Sequence, residues 1–167
     1  HESSRIVVRG TIKAQGVIGA PVTVRGDRLD YILEDFPYDF NPGQWHFIQL
    51  TSTSKNNEMD HMVIKGGYYG IIVDSATTGD VVLKLTNSVV HNFYYSCLWS
   101  VGSNIEVANS QITNSGSYTV CLIGGKSLFT HCTIANHQDQ IYRDGPALVM
   151  VNVTLDSLKN ETPWPLK

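Results

Sequence analysis

The sequence predicts an all-β fold, a right-handed parallel β-helix solenoid of about five to six coils. Short apolar segments recur about every 22 to 26 residues, and asparagine, glycine or serine interrupts them. Charged residues make up only 16% of the chain, which leaves a composition rich in strand- and turn-forming residues. We treat residues 1–167 as one domain. We also expect a segment of a longer β-helix protein, because residues 5–8 already have the pattern of a strand.

The repeat is clearest in three segments that superimpose, at residues 83–92, 105–114 and 128–136. The asparagines that close them are 22 residues apart, as 114 − 92 and 136 − 114 show. An apolar position two residues earlier keeps the same interval and is occupied by Val90, Ile112 and Ile134. A fourth copy at residues 60–66 precedes them. Equivalent strands of successive coils should therefore pair at a spacing of about 4.8 Å.

Two further columns follow from the same alignment. A second short strand in each coil aligns Ile71, Cys97, Cys121 and Ala147, at intervals of 26, 24 and 26. A corner column aligns His61, Asn87, Asn109 and His131, at intervals of 26, 22 and 22. Asparagine tolerates left-handed backbone, and its amide can bond the equivalent residue of the next coil. We interpret the corner residues as structural rather than ligand-binding.

Upstream of the repeat, residues 10–14, 21–25 and 46–50 alternate like further strands. Residues 26–44 interrupt them with a stretch that mixes acidic and aromatic side chains. A loop of this length in a regular solenoid usually carries function or covers a face. We therefore predict a loop insertion at about 26–44.

Charge and cysteine content exclude several classes of function. A formal net charge of −3 provides no basic field for a polyanion, so we expect no nucleic-acid partner. No apolar run approaches the length of a membrane span, so we expect no membrane insertion by this segment. The three cysteines lack the spacing of a metal site or a disulfide framework and are interpreted as buried thiols. We predict no metal and no cofactor.

Several short stretches resemble a group of right-handed β-helix proteins, the uncharacterised, pectate-lyase-like cell-surface lipoproteins of gut-dwelling Gram-negative bacteria. The stretches are GTIKAQG at 10–16, VRGDRLD at 24–30, PYD at 37–39, PGQW at 42–45, GGK at 124–126 and HCTIAN at 131–136. The resemblance implies a parallel β-helix at the outer membrane surface or in the extracellular space. It also implies that the remainder of a parent chain adjoins both ends of the helix. It implies no assigned activity and no catalytic residues.

Catalysis on polysaccharide is the enzymatic reading that such a fold suggests, by analogy alone. A lyase needs clustered carboxylates with an arginine or lysine base, and a hydrolase needs two carboxylates at a set separation. The carboxylates of the repeat, Asp60, Asp74 and Asp80, are instead dispersed along the chain. We therefore predict no catalytic residues in this segment.

Three tyrosines precede the second strand in successive coils, at Tyr68, Tyr94 and Tyr118. Exposed tyrosines at the spacing of stacked strands can lie against sugar rings. The alternative is that they stack on one another and close the corner, each pair contributing about 0.5–1.5 kcal/mol. Tyr69 and Tyr95 accompany the first two.

Two other groups are candidates for binding a ligand. The loop offers the carboxylates Asp35 and Asp39, followed by Trp45. These carboxylates could gather oxygen ligands for calcium, although no known calcium-loop spacing is present, and the alternative is a solvated flap. An elongated turn offers His137, Arg143 and Asp144, an acid, a base and a cation together, and the alternative there is a self-satisfied surface loop.

Three functions remain open from the sequence. The first is a non-catalytic cell-surface module that contacts polysaccharide through the tyrosines or the loop. The second is part of a polysaccharide lyase or hydrolase whose catalytic groups lie outside this segment. The third is a structural spacer of a surface lipoprotein.

Overall fold

The computed structural model describes residues 3–34, 36–76, 79–136 and 146–155, and their fold is an all-β parallel β-helix solenoid. Each coil contributes one strand to each of three parallel sheets. Sheet I contains β1 (Ile6–Val8), β6 (Ile48–Leu50), β9 (Tyr69–Val73), β12 (Ser96–Val101), β15 (Val120–Ile123) and β18 (Leu148–Val151). Sheet II contains β2 (Lys13–Gln15), β7 (Asn57–Asp60), β10 (Val81–Thr86), β13 (Asn104–Ala108), β16 (Lys126–Thr130) and β19 (Thr154–Leu155). Sheet III contains β3 (Val22–Val24), β8 (Met62–Lys65), β11 (Val89–Phe93), β14 (Gln111–Ser115) and β17 (Thr133–Ala135).

The pairing register follows the repeat that the sequence predicts for sheet III. Ile64 pairs with Val90, Val90 with Ile112, and Ile112 with Ile134. Because side chains alternate between the two faces of a strand, these residues lie on the inner face together. In the middle coils this column is fully buried, and similar inward columns from the other two sheets complete one core.

The corners between strands have left-handed backbone, which is why small polar residues and glycine recur there. Between sheets II and III the four corner residues of the repeat, His61, Asn87, Asn109 and His131, have φ angles of 49° to 51°. Between sheets III and I, Asn92 and Asn114 have φ angles of 59° and 58°, and Gly66 occupies the equivalent place with 76°. A third left-handed corner follows sheet I at Gly102, Gly124 and Asn152, with φ between 52° and 64°, and the repeat had not revealed it.

The alignment of the second strand needs correction. In sheet I, Cys121 pairs with Trp99 and Val149, and Trp99 pairs with Ile72. The intervals of this column are therefore 27 (99 − 72), 22 (121 − 99) and 28 (149 − 121). The shift arises because Cys97 occupies a bulge, where its N–H and that of the next residue both donate to the Thr119 carbonyl at 3.1 Å.

Residues 26–44 interrupt the solenoid as predicted, but part of the stretch has regular structure. It contains a short antiparallel hairpin, β4 (Tyr31–Leu33) with β5 (Phe36–Pro37), followed by a single 3₁₀ turn, η1 (Tyr38–Phe40). Within the described ranges, no helix is long and apolar enough to cross a lipid bilayer.

The corner at Asp60 stabilises the ionised form of that side chain. Its carboxylate accepts hydrogen bonds from the Thr86 hydroxyl at 2.6 Å and the Asn87 amide at 2.8 Å, and the His61 ring nitrogen lies 2.7 Å away. These bonds lower the pKa of Asp60 from 3.8 to about 2. Because the pKa is lower in the folded state, the stabilisation is complete above pH 3.8 and is lost as the pH falls through about 2.

We predict that Asp60→Asn destabilises the protein at neutral pH because it removes this charge. The difference from wild type should shrink as the pH falls from about 4 to about 2. Urea unfolding at a series of pH values measures it, with the exposed Asp80→Asn as control. A difference that stays constant over this interval would contradict the assignment.

Candidate functional site

Exposed apolar side chains are unevenly distributed along the solenoid. Among the described residues, nine of the exposed large apolar side chains fall within residues 6–40 and four within residues 128–151. Tyr94, 43% exposed, is the one large apolar side chain that the described part of the middle coils presents to solvent. An apolar group that stands out from an otherwise covered surface is a candidate for ligand contact.

Tyr94 belongs to a continuous cluster of rings at the corner between sheets III and I. We call this cluster the aromatic patch; it consists of His46, Tyr68, Tyr69, Tyr94, Tyr95 and Trp99. The ring centroids of Tyr68 and Tyr94 are 5.4 Å apart, and those of Tyr69 and Tyr95 are 5.1 Å apart and stacked. His46 extends the first row, with its centroid 5.7 Å from that of Tyr68. The patch therefore runs along the solenoid axis over three successive coils.

The patch arises because two successive coils turn the same corner in the same way. The Tyr94 N–H donates to the Gly67 carbonyl at 3.0 Å, and the Tyr95 N–H donates to the Tyr68 carbonyl at 2.8 Å. One turn thus lies directly over the other, and aromatic residues at matching positions meet ring to ring. Both readings of the tyrosines hold in part, since the rings stack on one another and Tyr94 remains exposed.

Tyr118 does not extend either row. The Gly116 N–H donates to the Phe93 carbonyl and the Ser117 N–H to the Tyr95 carbonyl, both at 3.0 Å, so these two small residues lie next to the tyrosine turn. The side chain of Tyr118 is half-buried and makes no ring contact with the described aromatic residues. Glycine and serine therefore mark one end of the patch.

Trp45 lies beneath the patch rather than on it. Its side chain is 6% exposed, and its indole N–H donates to the Lys65 carbonyl at 2.8 Å. Its ring packs edge-on against Phe93 with centroids 5.9 Å apart. A Cβ added at Gly67 would lie 2.9 Å from the Trp45 ring and 3.0 Å from the Phe93 ring. Trp45 is thus a support for the tyrosine turn, and its indole cannot face a ligand in this position.

The loop borders the patch and is anchored to sheet III by Asp39. The Asp39 carboxylate forms an ion pair with Lys65 and lies 3.7 Å from Arg25. The Gln44 side-chain amide donates to the Tyr38 and Asn41 carbonyls, which shapes the turn that follows. That turn brings Gly43 against the Tyr68 ring, where an added Cβ would lie 3.5 Å away. Asp39 therefore positions the loop beside the patch.

The ionisable groups around the patch favour neutral forms or are already paired. Burial raises the pKa of Tyr69, with a smaller contribution from Tyr95, so this phenol stays protonated. Burial lowers the pKa of His91, on the strand beside Lys65, so its imidazole favours the neutral form. The Asp74 carboxylate, one strand-end away, accepts a hydrogen bond from the Gln49 amide at 2.8 Å. The patch itself contains no carboxylate, ammonium or guanidinium group.

Other surfaces of the solenoid are charged or polar. On sheet II, Lys13 forms an ion pair with Glu58 of the next coil, and Lys84 with Glu106 at 3.3 Å. A cleft of about 550 Å³ adjoins these side chains, and a shallow groove of about 590 Å³ follows the polar corner between sheets II and III. Neither cavity includes a residue of the aromatic patch.

The remaining predicted site residues are not brought to the patch by anything that the structure describes. Asp35, His137, Arg143 and Asp144 lie outside the described residues. Within the described ranges, no group of three or more histidine, cysteine, aspartate or glutamate side chains could hold a metal ion. The three cysteines are free thiols, and burial raises the pKa of Cys97 and Cys121.

Two members of the patch, His46 and Trp99, were missed by sequence reasoning. Both flank the turns that carry the tyrosines, His46 two residues before β6 and Trp99 within β12. Their proximity depends on the bulge at Cys97, which the repeat had not revealed. Comparison with protein-family models, with curated proteins and with solved structures finds no match to this chain.

Proposed function

We propose that this chain is a non-catalytic β-helix module that binds polysaccharide through the aromatic patch. The single observation that carries the proposal is a ring cluster across three coils, with Tyr94 exposed in a middle coil where other large apolar side chains are covered. The resemblance to pectate-lyase-like surface lipoproteins supports an outer-surface location, where polysaccharide is at hand.

The chemistry of a sugar ring suits such a surface. A pyranose has an apolar face of C–H groups and a rim of hydroxyls, so it packs on an aromatic face while its hydroxyls bond polar neighbours. The phenol hydroxyls and the imidazole of His46 supply donors and acceptors within the patch. Because the tyrosines already support one another, little side-chain entropy is lost when a ligand binds.

A catalytic role has less support in the described residues. The carboxylates that an acid–base mechanism would need are engaged, since Asp39 pairs with Lys65 and Asp60 accepts bonds from Thr86 and Asn87. The groups for a lyase or hydrolase would have to come from elsewhere in a parent protein. A purely structural spacer would need no exposed tyrosine, and this distinguishes it from a binding module.

We predict that Tyr94→Ala weakens polysaccharide binding at least about tenfold, because it removes the most exposed ring of the patch. Calorimetric titration with soluble polysaccharides measures the affinity, and thermal unfolding checks that the fold is kept. Tyr31→Ala is the matched control, since Tyr31 is 62% exposed on the hairpin and outside the patch.

The control decides how a loss is interpreted. Equal losses in the two variants would mean that the patch has no special part in binding. Absence of binding by wild type across a broad panel would remove the proposal, and lowered stability of Tyr94→Ala without any interaction would favour the structural spacer.

A further inference from the structure

We infer that the aromatic patch recognises uncharged glycans and discriminates against polysaccharides that carry a carboxylate on every sugar. This inference rests on the proposed function and narrows its ligand class. It follows from the charges on and around the patch, taken one group at a time.

The surface that a sugar would touch has no formal charge of its own. Its residues are tyrosines, a tryptophan and one histidine, and the buried Tyr69 phenol stays protonated because burial raises its pKa. A neutral pyranose loses no ionic hydration when it packs on such a surface. A uronate would have to bring a carboxylate close to apolar rings, which costs free energy unless a cation pairs with it.

The cations closest to the patch on sheet III are already paired with a carboxylate of this chain. Lys65 forms an ion pair with Asp39, and Arg25 lies 3.7 Å from the same carboxylate. Lys65 is largely buried, with 16% of its side chain exposed. To bind a uronate with Lys65, the protein would have to detach its own loop.

The carboxylate on the sheet I side of the patch adds to the discrimination. Asp74 accepts a hydrogen bond from Gln49 and has no cationic partner among the described residues. Its negative charge would repel a polymer of uronates at short range. Neutral glycans are not affected by it.

Arg5 is the one cation near the patch for which the described residues provide no ion pair. The Ser4 carbonyl accepts the His46 N–H at 2.7 Å, and the Ile6 N–H donates to the Phe47 carbonyl at 2.9 Å, so Arg5 lies beside Phe47 in the first coil. A polymer charged at every sugar is bound strongly when a series of cations meets it, and each cation adds to the salt dependence. A single exposed arginine at one end does not provide that series.

The experiment compares soluble neutral polysaccharides, a β-glucan and a mannan, with polygalacturonate and alginate. Each is titrated at roughly 50 mM and roughly 500 mM sodium chloride, because the higher salt screens exposed charges. We expect binding to at least one neutral polymer, an affinity that changes less than about twofold with salt, and at least about tenfold weaker binding of the uronates. Arg5→Ala should change the neutral affinity less than about twofold, and Tyr94→Ala should abolish it.

The outcomes separate this inference from the proposed function. Preferential binding of a uronate that falls with salt and with Arg5→Ala would overturn the inference, while loss in Tyr94→Ala would still support the patch as the site. Equal affinities for neutral and acidic polymers would also overturn it. If wild type binds none of the four polymers, the inference and the proposed function fail together.

Discussion

Phe93→Ala should lower the free energy of unfolding by about 3–5 kcal/mol, the largest loss that we predict for any single side chain. Phe93 is fully buried at the end of β11 and is the largest of the completely buried side chains. Its ring supports Trp45 and closes against Gly67, directly under the tyrosine turn. Because backbone bonds from Gly67 and its neighbour hold the turn above, the cavity cannot collapse without moving the patch.

Urea unfolding of the variant measures the loss, and Phe36→Ala is the matched control. Phe36 is 46% exposed on the hairpin, so its truncation should cost less than about 1 kcal/mol. We also expect Phe93→Ala to weaken polysaccharide binding, although Phe93 is shielded from any ligand. A Phe93→Ala protein as stable as the control would contradict the packing described beneath the patch.

Gly125→Ala should destabilise the protein by about 2–4 kcal/mol, through two effects that add. The φ angle of Gly125 is +75°, and a side chain in left-handed backbone costs about 1–2 kcal/mol. An added Cβ would also lie 2.2 Å from the Ser103 carbonyl oxygen of the coil below, so one coil has to move away from the other. Crowding of this kind costs about 1–3 kcal/mol.

Two other glycines separate these effects. Gly19 has a φ angle of +84° and open space where a Cβ would go, so Gly19→Ala should show the backbone cost alone. Gly79 has open space and no left-handed backbone, so Gly79→Ala should change stability by less than about 0.5 kcal/mol. Denaturant unfolding of the three variants should give the order Gly125, Gly19, Gly79. Equal losses for Gly125→Ala and Gly19→Ala would show that the coils are not in close contact at Ser103.

The parallel β-helix could be predicted from the sequence because the fold imposes its geometry on every coil. Residues 22 apart, such as Val90 and Ile112, become vertical neighbours, so apolar positions and left-handed corners must recur at the coil length. The corner at Asn87 and Asn109 was predictable for the same reason, since few residues other than glycine tolerate positive φ. The corner that follows sheet I was not found, because it is occupied by glycine in two coils and asparagine in a third.

The site could be predicted only in part. Tyr68 and Tyr94 were expected together and are in contact, because their turns have matching length and shape. Tyr118 was expected in the same row, but the bulge at Cys97 shifts the register and the longer turn between β14 and β15 places Gly116 and Ser117 there instead. A bulge adds one residue without changing the alternation that a sequence displays, so periodicity alone could not have located it.

Trp45 and Asp39 show a second limit of sequence reasoning. Both lie in or next to an exposed-looking loop, and residue type favoured contact with a ligand. Their positions depend on tertiary contacts: Trp45 packs on Phe93, 48 residues away along the chain, and Asp39 pairs with Lys65 of β8. Contacts over such sequence distances leave no local pattern in the loop itself.

The most direct test of the proposed binding surface is to map the bound ligand on the protein by NMR. The tyrosine and tryptophan ring signals of the folded chain would be followed while a neutral oligosaccharide is titrated. We predict that the largest shifts occur at Tyr94, Tyr68 and Trp99, whereas Tyr31 on the hairpin stays unchanged. Shifts confined to the charged face around Lys84 and Glu106, with the patch rings unaffected, would contradict the proposed binding surface.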